Sequence, residues 1–192
     1  MNDKKVYKNL KSQLETEFKM TDMSLANHYL GIELHQNANL IIIKQTEFIK
    51  KILHQFDMKN AVLKPTSMNN KICLDFKFVS DLLDNIEKEC YQSSVESLIY
   101  LMLDIRSDIS FAVSILSQFT AFSRVKHAEA LNHIFCYLHD TFNVGIIYTT
   151  GFKDSTLMLY DYTDADFAGT VVRENRCSTS EYILMLSDGA IS

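Results

Sequence analysis

The sequence predicts an α+β fold, on three observations. Apolar residues recur every three or four positions in five segments, the spacing that gives a helix one buried face. Five shorter apolar runs, most of them bounded by polar turns, read as strands. Within 192 residues, 47% hydrophobic and 22% charged, the composition is that of a globular chain, long enough for one large or two small cores. The expected order is a helix and a β-hairpin, a helical unit, and then the strands of an incomplete sheet.

Asp3 to Met20 places Val6, Leu10, Leu14 and Phe18 at steps of four with lysines between them, and Asp3 is a reasonable N-cap. Tyr29 to Leu34 and Leu40 to Ile43 flank the polar turn Gln36-Asn37-Ala38-Asn39, which reads as a β-hairpin. Thr46 to Phe56 returns to helical spacing, with Phe48, Ile49, Ile52, Leu53 and Phe56 on one side, Lys50 and Lys51 on the other, and Thr46 as the expected cap. Residues 59 to 89 lose periodicity, hold the one proline (Pro65) and turn acidic at Asp81, Asp84, Glu87 and Glu89, the pattern of a surface connection. Helices resume at Gln92 to Leu103, Asp108 to Ala121 and Val125 to His139. Val144 to Tyr148, Leu157 to Thr163 and Tyr182 to Leu186 follow as three strands of one sheet with no second layer after them. The open edge predicts a loosened C-terminal third, residues 144 to 192.

Cys73, Cys90, Cys136 and Cys177 form no C-x-x-C pair, so neither a zinc framework nor a disulfide scaffold is suggested. The charged start (Asp3, Lys4, Lys5, Lys8) is unlike a signal peptide, and no apolar run approaches the ~20 residues of a membrane span. An intracellular protein of cytoplasm or nucleus, without a membrane partner, is expected. The net charge of -5 is unevenly divided: residues 1 to 77 hold 12 Lys+Arg against 8 Asp+Glu, and residues 78 to 192 hold 7 against 16. The basic surplus is the half that would meet phosphates.

Leu157 to Gly169 is an apolar run ending in the carboxylates Asp161, Asp164 and Asp166 and then a glycine. Carboxylates on a strand open many two-metal phosphoryl-transfer sites. If the strand runs far enough, Asp164 and Asp166, two apart, share a face and could reach one ion. The later acids Glu174, Glu181 and Asp188 lie on no plausible following helix, so the expectation is a nucleic-acid enzyme cut before its site is complete. An unrelated histidine enzyme is the competing class, with His28, His35, His54, His127, His133 and His139 available. His127 and His133 are six apart, not the four that puts two ligands on one helix face. Cys136 between His133 and His139 sits in an apolar helix with Leu131, Ile134 and Leu138, which reads as core.

In this order and spacing, several segments resemble one family. The carriers are Phe18-Lys19-Met20-Thr21-Asp22-Met23 with Tyr29-Leu30-Gly31-Ile32-Glu33; Leu98-Ile99-Tyr100-Leu101; Arg106-Ser107-Asp108-Ile109 with Leu116-Ser117-Gln118-Phe119; His127 with Tyr137-Leu138; Tyr162-Thr163-Asp164-Ala165-Asp166-Phe167-Ala168-Gly169; and Arg176-Cys177-Ser178-Thr179-Ser180. Together they resemble the Ty1/copia class of retrotransposon polyproteins, from the C-terminal part of reverse transcriptase through the start of ribonuclease H.

The resemblance implies four parts: residues 1-58 as the end of the palm with a primer-grip-like hairpin, 59-89 as a connection, 90-141 as thumb-like helices, and 142-192 as a truncated ribonuclease H-like start. It implies an RNA/DNA hybrid or DNA duplex as partner, beside the other parts of the polyprotein. Gly31 in the hairpin and Lys44, Lys50 and Lys51 beside it would contact nucleic acid; lysines there can face phosphates without reading bases. Asp164 falls at the first metal carboxylate of ribonuclease H with Asp166 as its neighbour, for Mg²⁺ or Mn²⁺ in the parent enzyme and no ion in this chain. No Tyr-x-Asp-Asp occurs in the sequence, and the further ribonuclease H acids belong downstream, so neither activity is expected to be complete. The family usually has glycine where Ser24, Glu96 and Glu181 stand, and proline where Ser107 stands; glutamate at 96 or 181 must clash or turn its charge outward. The expected function is a fragment of a copia-type reverse transcriptase/ribonuclease H without catalysis of its own. The alternative is a non-catalytic nucleic-acid-binding module that keeps thumb-like duplex contacts.

Overall fold

Four helices meet along their apolar faces in the computed structural model, which describes residues 3–20, 25–58, 62–69, 74, 82–149, 159–165, 180–186 and 189–191. Helix α1 (Asp3–Glu17) is followed at a distance in sequence by α2 (Thr46–Gln55), α3 (Asn85–Asp104), α4 (Ser110–Ser117) and α5 (Val125–Asp140). The core takes Ile49, Ile52 and Leu53 from α2, Tyr91, Val95, Leu98 and Leu101 from α3, Val113 and Leu116 from α4, and Leu131, Ile134, Phe135 and Leu138 from α5. Each such side chain stabilises the fold by roughly 1.5–3 kcal/mol when fully buried. The sequence grouped α2 with the hairpin, whereas its buried face belongs to the same interior as α3, α4 and α5.

Two helix starts differ from expectation. α3 begins at Asn85, inside the stretch read as a connection. The Asp84 carboxylate accepts the Glu87 N–H at 2.8 Å, and the Glu87 carboxylate accepts the Asp84 N–H at 3.0 Å. This reciprocal capping box satisfies two backbone donors that a helix start leaves open, so the acidic residues begin a helix. At α2 the N-cap is Gln45, and Thr46 is a buried first-turn residue. The Glu47 N–H finds its acceptor outside the helix, in Glu33 Oε1 at 2.7 Å. The third helix of the unit is also shorter than its apolar pattern: a 3-10 turn at Ser107–Ile109 precedes α4, which ends at Ser117.

The strands form two antiparallel sheets. The first has the order β1 (His28–Tyr29), β2 (Ile32–Gln36), β3 (Leu40–Lys44) and β4 (Ile146–Thr149); the second has β5 (Leu159–Ala165), β6 (Ser180–Leu186) and β7 (Gly189–Ala190). The expected hairpin is present, with His35 opposite Ile42 and the Asn37 side chain accepting the N–H groups of Asn39 and Leu40, both at 2.9 Å. The three strands after Thr141 do not share a sheet. β4 pairs with β3 instead, Ile42 opposite Ile147 and Ile43 opposite Ile146. With β2 on one side, β3 offers its other edge, and an isoleucine-rich partner covers it; such cross-strand β-branched pairs favour this union. Sequence neighbours were grouped where a long-range pairing decided.

A two-residue turn joins β1 to β2 with Leu30 at φ 47° and Gly31 at φ 81°. The Tyr100 hydroxyl of α3 donates to the Leu30 carbonyl at 2.6 Å, and a Cβ at Gly31 would lie 3.0 Å from that hydroxyl. At the other end of the sheet, the Tyr148 hydroxyl donates to the Ala190 carbonyl, and a Cβ at Gly189 would meet the Tyr148 ring at 2.3 Å. β7 thus seats the second sheet on β4. The apolar positions of α1 are all exposed: Val6, Tyr7, Leu10, Leu14 and, just beyond the helix, Phe18.

Candidate nucleic-acid interface

The four expected contact residues divide into a lysine group and a turn glycine. α2 buries Ile49, Ile52 and Leu53, so its opposite side carries Lys50, Lys51 and His54, which with Glu47 and Gln55 line a shallow depression. Lys44 ends β3, one residue before the Gln45 cap. The α5–β4 connection holds both groups in place. The Asn143 side chain accepts from Lys44 Nζ at 2.8 Å, and the Phe142 ring centroid lies 5.8 Å from Lys50 Nζ. Lys50 also pairs with Glu47 at 2.9 Å, both side chains being more than half exposed. Exposed pairs of this kind contribute about 0–1 kcal/mol and exchange readily for another anion. Gly31 is engaged internally, in the turn that Tyr100 holds.

Asp164 lies on the outer strand of the second sheet, exposed, directly opposite Glu181. Its Oδ1 accepts the Ala165 N–H at 2.8 Å. Like charges opposed in an antiparallel pair repel, so the glutamate at 181 places a second carboxylate across from Asp164 with its charge turned outward. Glu96 on α3 is likewise exposed. Asp166 and Ser24 lie outside the described residues. Among the described residues no three His, Cys, Asp or Glu side chains gather to hold a metal ion.

Two buried polar centres, around Arg106 and His127, lie apart from the lysine group. Arg106, 1% exposed, donates to Asp108 through Nε at 2.9 Å and one terminal nitrogen at 2.8 Å, and to the Thr141 carbonyl at 3.0 Å and hydroxyl at 2.7 Å. Tyr137 completes the knot, donating to Asp108 at 2.7 Å. Burial works to raise the Asp108 pKa, but the hydrogen bonds and charge of Arg106, with the Tyr137 hydroxyl, hold it below the ordinary value. The knot ties the start of α4 to the end of α5, where the chain leaves for β4. An arginine and an aspartate two apart in an otherwise apolar motif is the sequence signal for it.

His127 is 2% exposed and stacks on Phe119 with ring centroids 4.0 Å apart. Its Nδ1 accepts the Arg124 N–H at 3.1 Å, capping α5. Burial, with the charge of Arg124, lowers its pKa to about 4, so it is a neutral structural cap at pH 7. His133 meets the Thr66 carbonyl at 3.0 Å and pins residues 62–69 to α5. Leu131, Ile134 and Leu138 are buried as the apolar helix reading required.

Residues 1–70 match the family model described as reverse transcriptase (RNA-dependent DNA polymerase). Over 99% of its length the chain is 33% identical to the retrovirus-related Pol polyprotein from transposon TNT 1-94 of Nicotiana tabacum, and over all of it 34% identical to that from transposon RE1 of Arabidopsis thaliana. A Ty5-1 transposon protein of Saccharomyces cerevisiae is 29% identical over 98% of the chain and 59% of its own length. The chain belongs to the Ty1/copia-type retrotransposon Pol polyproteins. It spans 14% and 12% of the two plant polyproteins. No solved structure matches it.

Proposed function

We propose that this chain is the part of a copia-type Pol polyprotein that holds an RNA/DNA hybrid or DNA duplex, and that it does not polymerise or cut by itself. The observation that carries the reading is the lysine face of α2, continued by Lys44 on β3 and backed by a helical core rather than by a loop. Point charges on a rigid element grip a phosphate backbone in any sequence. The family relationship supports the assignment of residues 1-58 to the palm end, 90-141 to thumb-like helices and 142-192 to the start of ribonuclease H. On that reading Asp164 and Asp166 are the first metal carboxylates of the parent site, and Gly31 shapes the hairpin that faces the primer end. The reading that it does not polymerise by itself is supported by the sequence given holding no Tyr-x-Asp-Asp, since transfer of a phosphoryl group needs a full carboxylate set around its ions.

The test is a salt series of binding to an RNA/DNA hybrid with a Mg²⁺-dependent cleavage and primer-extension control on the same sample. Log affinity should fall linearly with log salt, by about 0.9 per phosphate contacted, and Lys50→Glu with Lys51→Glu should shallow the slope by about two. Salt-insensitive binding would refute the lysine face, and activity abolished by Asp164→Asn would refute the absence of catalysis.

A further inference from the structure

Lys44 and Lys50, both supported by the α5–β4 connection, are held by groups of different charge. Lys44 Nζ donates to the neutral Asn143 amide oxygen at 2.8 Å. The carboxylate across the ladder from Lys44, that of Glu33, is turned to the Glu47 N–H at 2.7 Å. Lys50 Nζ instead meets the Glu47 carboxylate at 2.9 Å, with the Phe142 ring 5.8 Å away. Glu47 lines the same depression as Lys50 and Lys51, so an anion that enters it must contend with that carboxylate.

We propose that Glu47 is an internal competitor for the phosphate that Lys50 takes: a duplex gains Lys50 only by displacing a carboxylate, whereas Lys44 reaches phosphate from a neutral support. The inference rests on the lysine face being the phosphate contact, and adds an order among its cations. An amide oxygen orients an ammonium group and leaves its charge intact, while a carboxylate in contact cancels most of it. The Lys50 and Glu47 side chains are 54% and 72% exposed, so water and salt screen the pair and it opens readily to a rival anion. The attraction of the Phe142 ring for the ammonium group does not depend on Glu47 and keeps Lys50 in place during the exchange.

Equilibrium binding of the whole protein to an RNA/DNA hybrid at low salt tests it, with Glu47→Gln, Lys50→Gln and the two combined. Glu47→Gln should tighten binding by about three-fold, the scale of an exposed ion pair, and should change nothing once Lys50 is replaced. Equal tightening in both backgrounds would mean that Glu47 merely repels the duplex, and no tightening in either would mean that no exchange occurs; each result overturns the inference. Both positions are exposed, so loss of folding cannot imitate a gain in affinity. Asn143→Asp, which sets a carboxylate beside Lys44, should weaken binding by a similar factor, and an unchanged affinity would overturn the contrast between the two lysines. Absence of salt-sensitive binding by the unsubstituted protein would refute the lysine face itself, and this inference with it.

Discussion

The helical unit and the second sheet are built from similarly apolar sequence and reach opposite ends of the burial scale. In α3 and α5 the apolar positions close on one another until Leu98, Leu101, Ile134 and Leu138 are wholly inaccessible. In β5, Leu159 remains 64% and Tyr162 63% exposed, and in β6 Tyr182 remains 66% exposed. A helix bundle supplies its own second layer, whereas a three-stranded sheet needs something laid on its face. The difference teaches that apolar content alone does not set stability here; what decides is whether the fold returns another element to the same face.

That contrast can be broken by mutation. Phe135→Ala, in the core, should destabilise the protein by about 3–5 kcal/mol, whereas Leu159→Ala on β5 should stay within ~0.5 kcal/mol; urea midpoints of the two variants settle it. Arg106→Met should cost about 3 kcal/mol by leaving Asp108 without its partner, read as a lowered midpoint. The estimate is at the low end because Asp108 is itself partly exposed.

A pH series sharpens the comparison from another side. His127 has a folded pKa of about 4 against roughly 6.5 when unfolded, so between these values the unfolded chain binds more protons. Stability should be full above about pH 6.5 and fall as pH drops toward 4, by on the order of 3 kcal/mol. His127→Gln should flatten that slope, and a slope unchanged by the substitution would assign it to other groups. Gly31→Ala should cost about 1 kcal/mol, for forcing a side chain into a left-handed turn against Tyr100. Amide exchange should protect Leu98 to Leu101 of α3, in the core, well above Leu159 to Ala165, an outer strand.

All five helices and the hairpin were legible because their periodicity is local: Ile49, Ile52 and Leu53 announce the buried side of α2 from spacing alone. The start of α3 was equally legible in Asp84-x-x-Glu87, but the acidic run around it masked the capping box. The place of β4 was not, because nothing near Ile146 says that Ile43, a hundred residues earlier, lies opposite. The lysines of α2 could be marked from the polar side of the helix, whereas the support of Lys44 and Lys50 by Asn143 and Phe142 comes from across the fold. The role of Arg106 escaped because a charged letter in sequence reads as surface until its partners are known, and the spacing test applied to His127 asked about a metal ligand and could not show a buried helix cap.

The Glu33 carboxylate on the Glu47 N–H and the Tyr100 hydroxyl on the Leu30 carbonyl fasten the hairpin to two different helices. With two points of attachment the hairpin cannot pivot about either one. The hairpin and the exposed lysine side of α2 are therefore held like the two jaws of a fixed caliper, at a separation that is set when the chain folds.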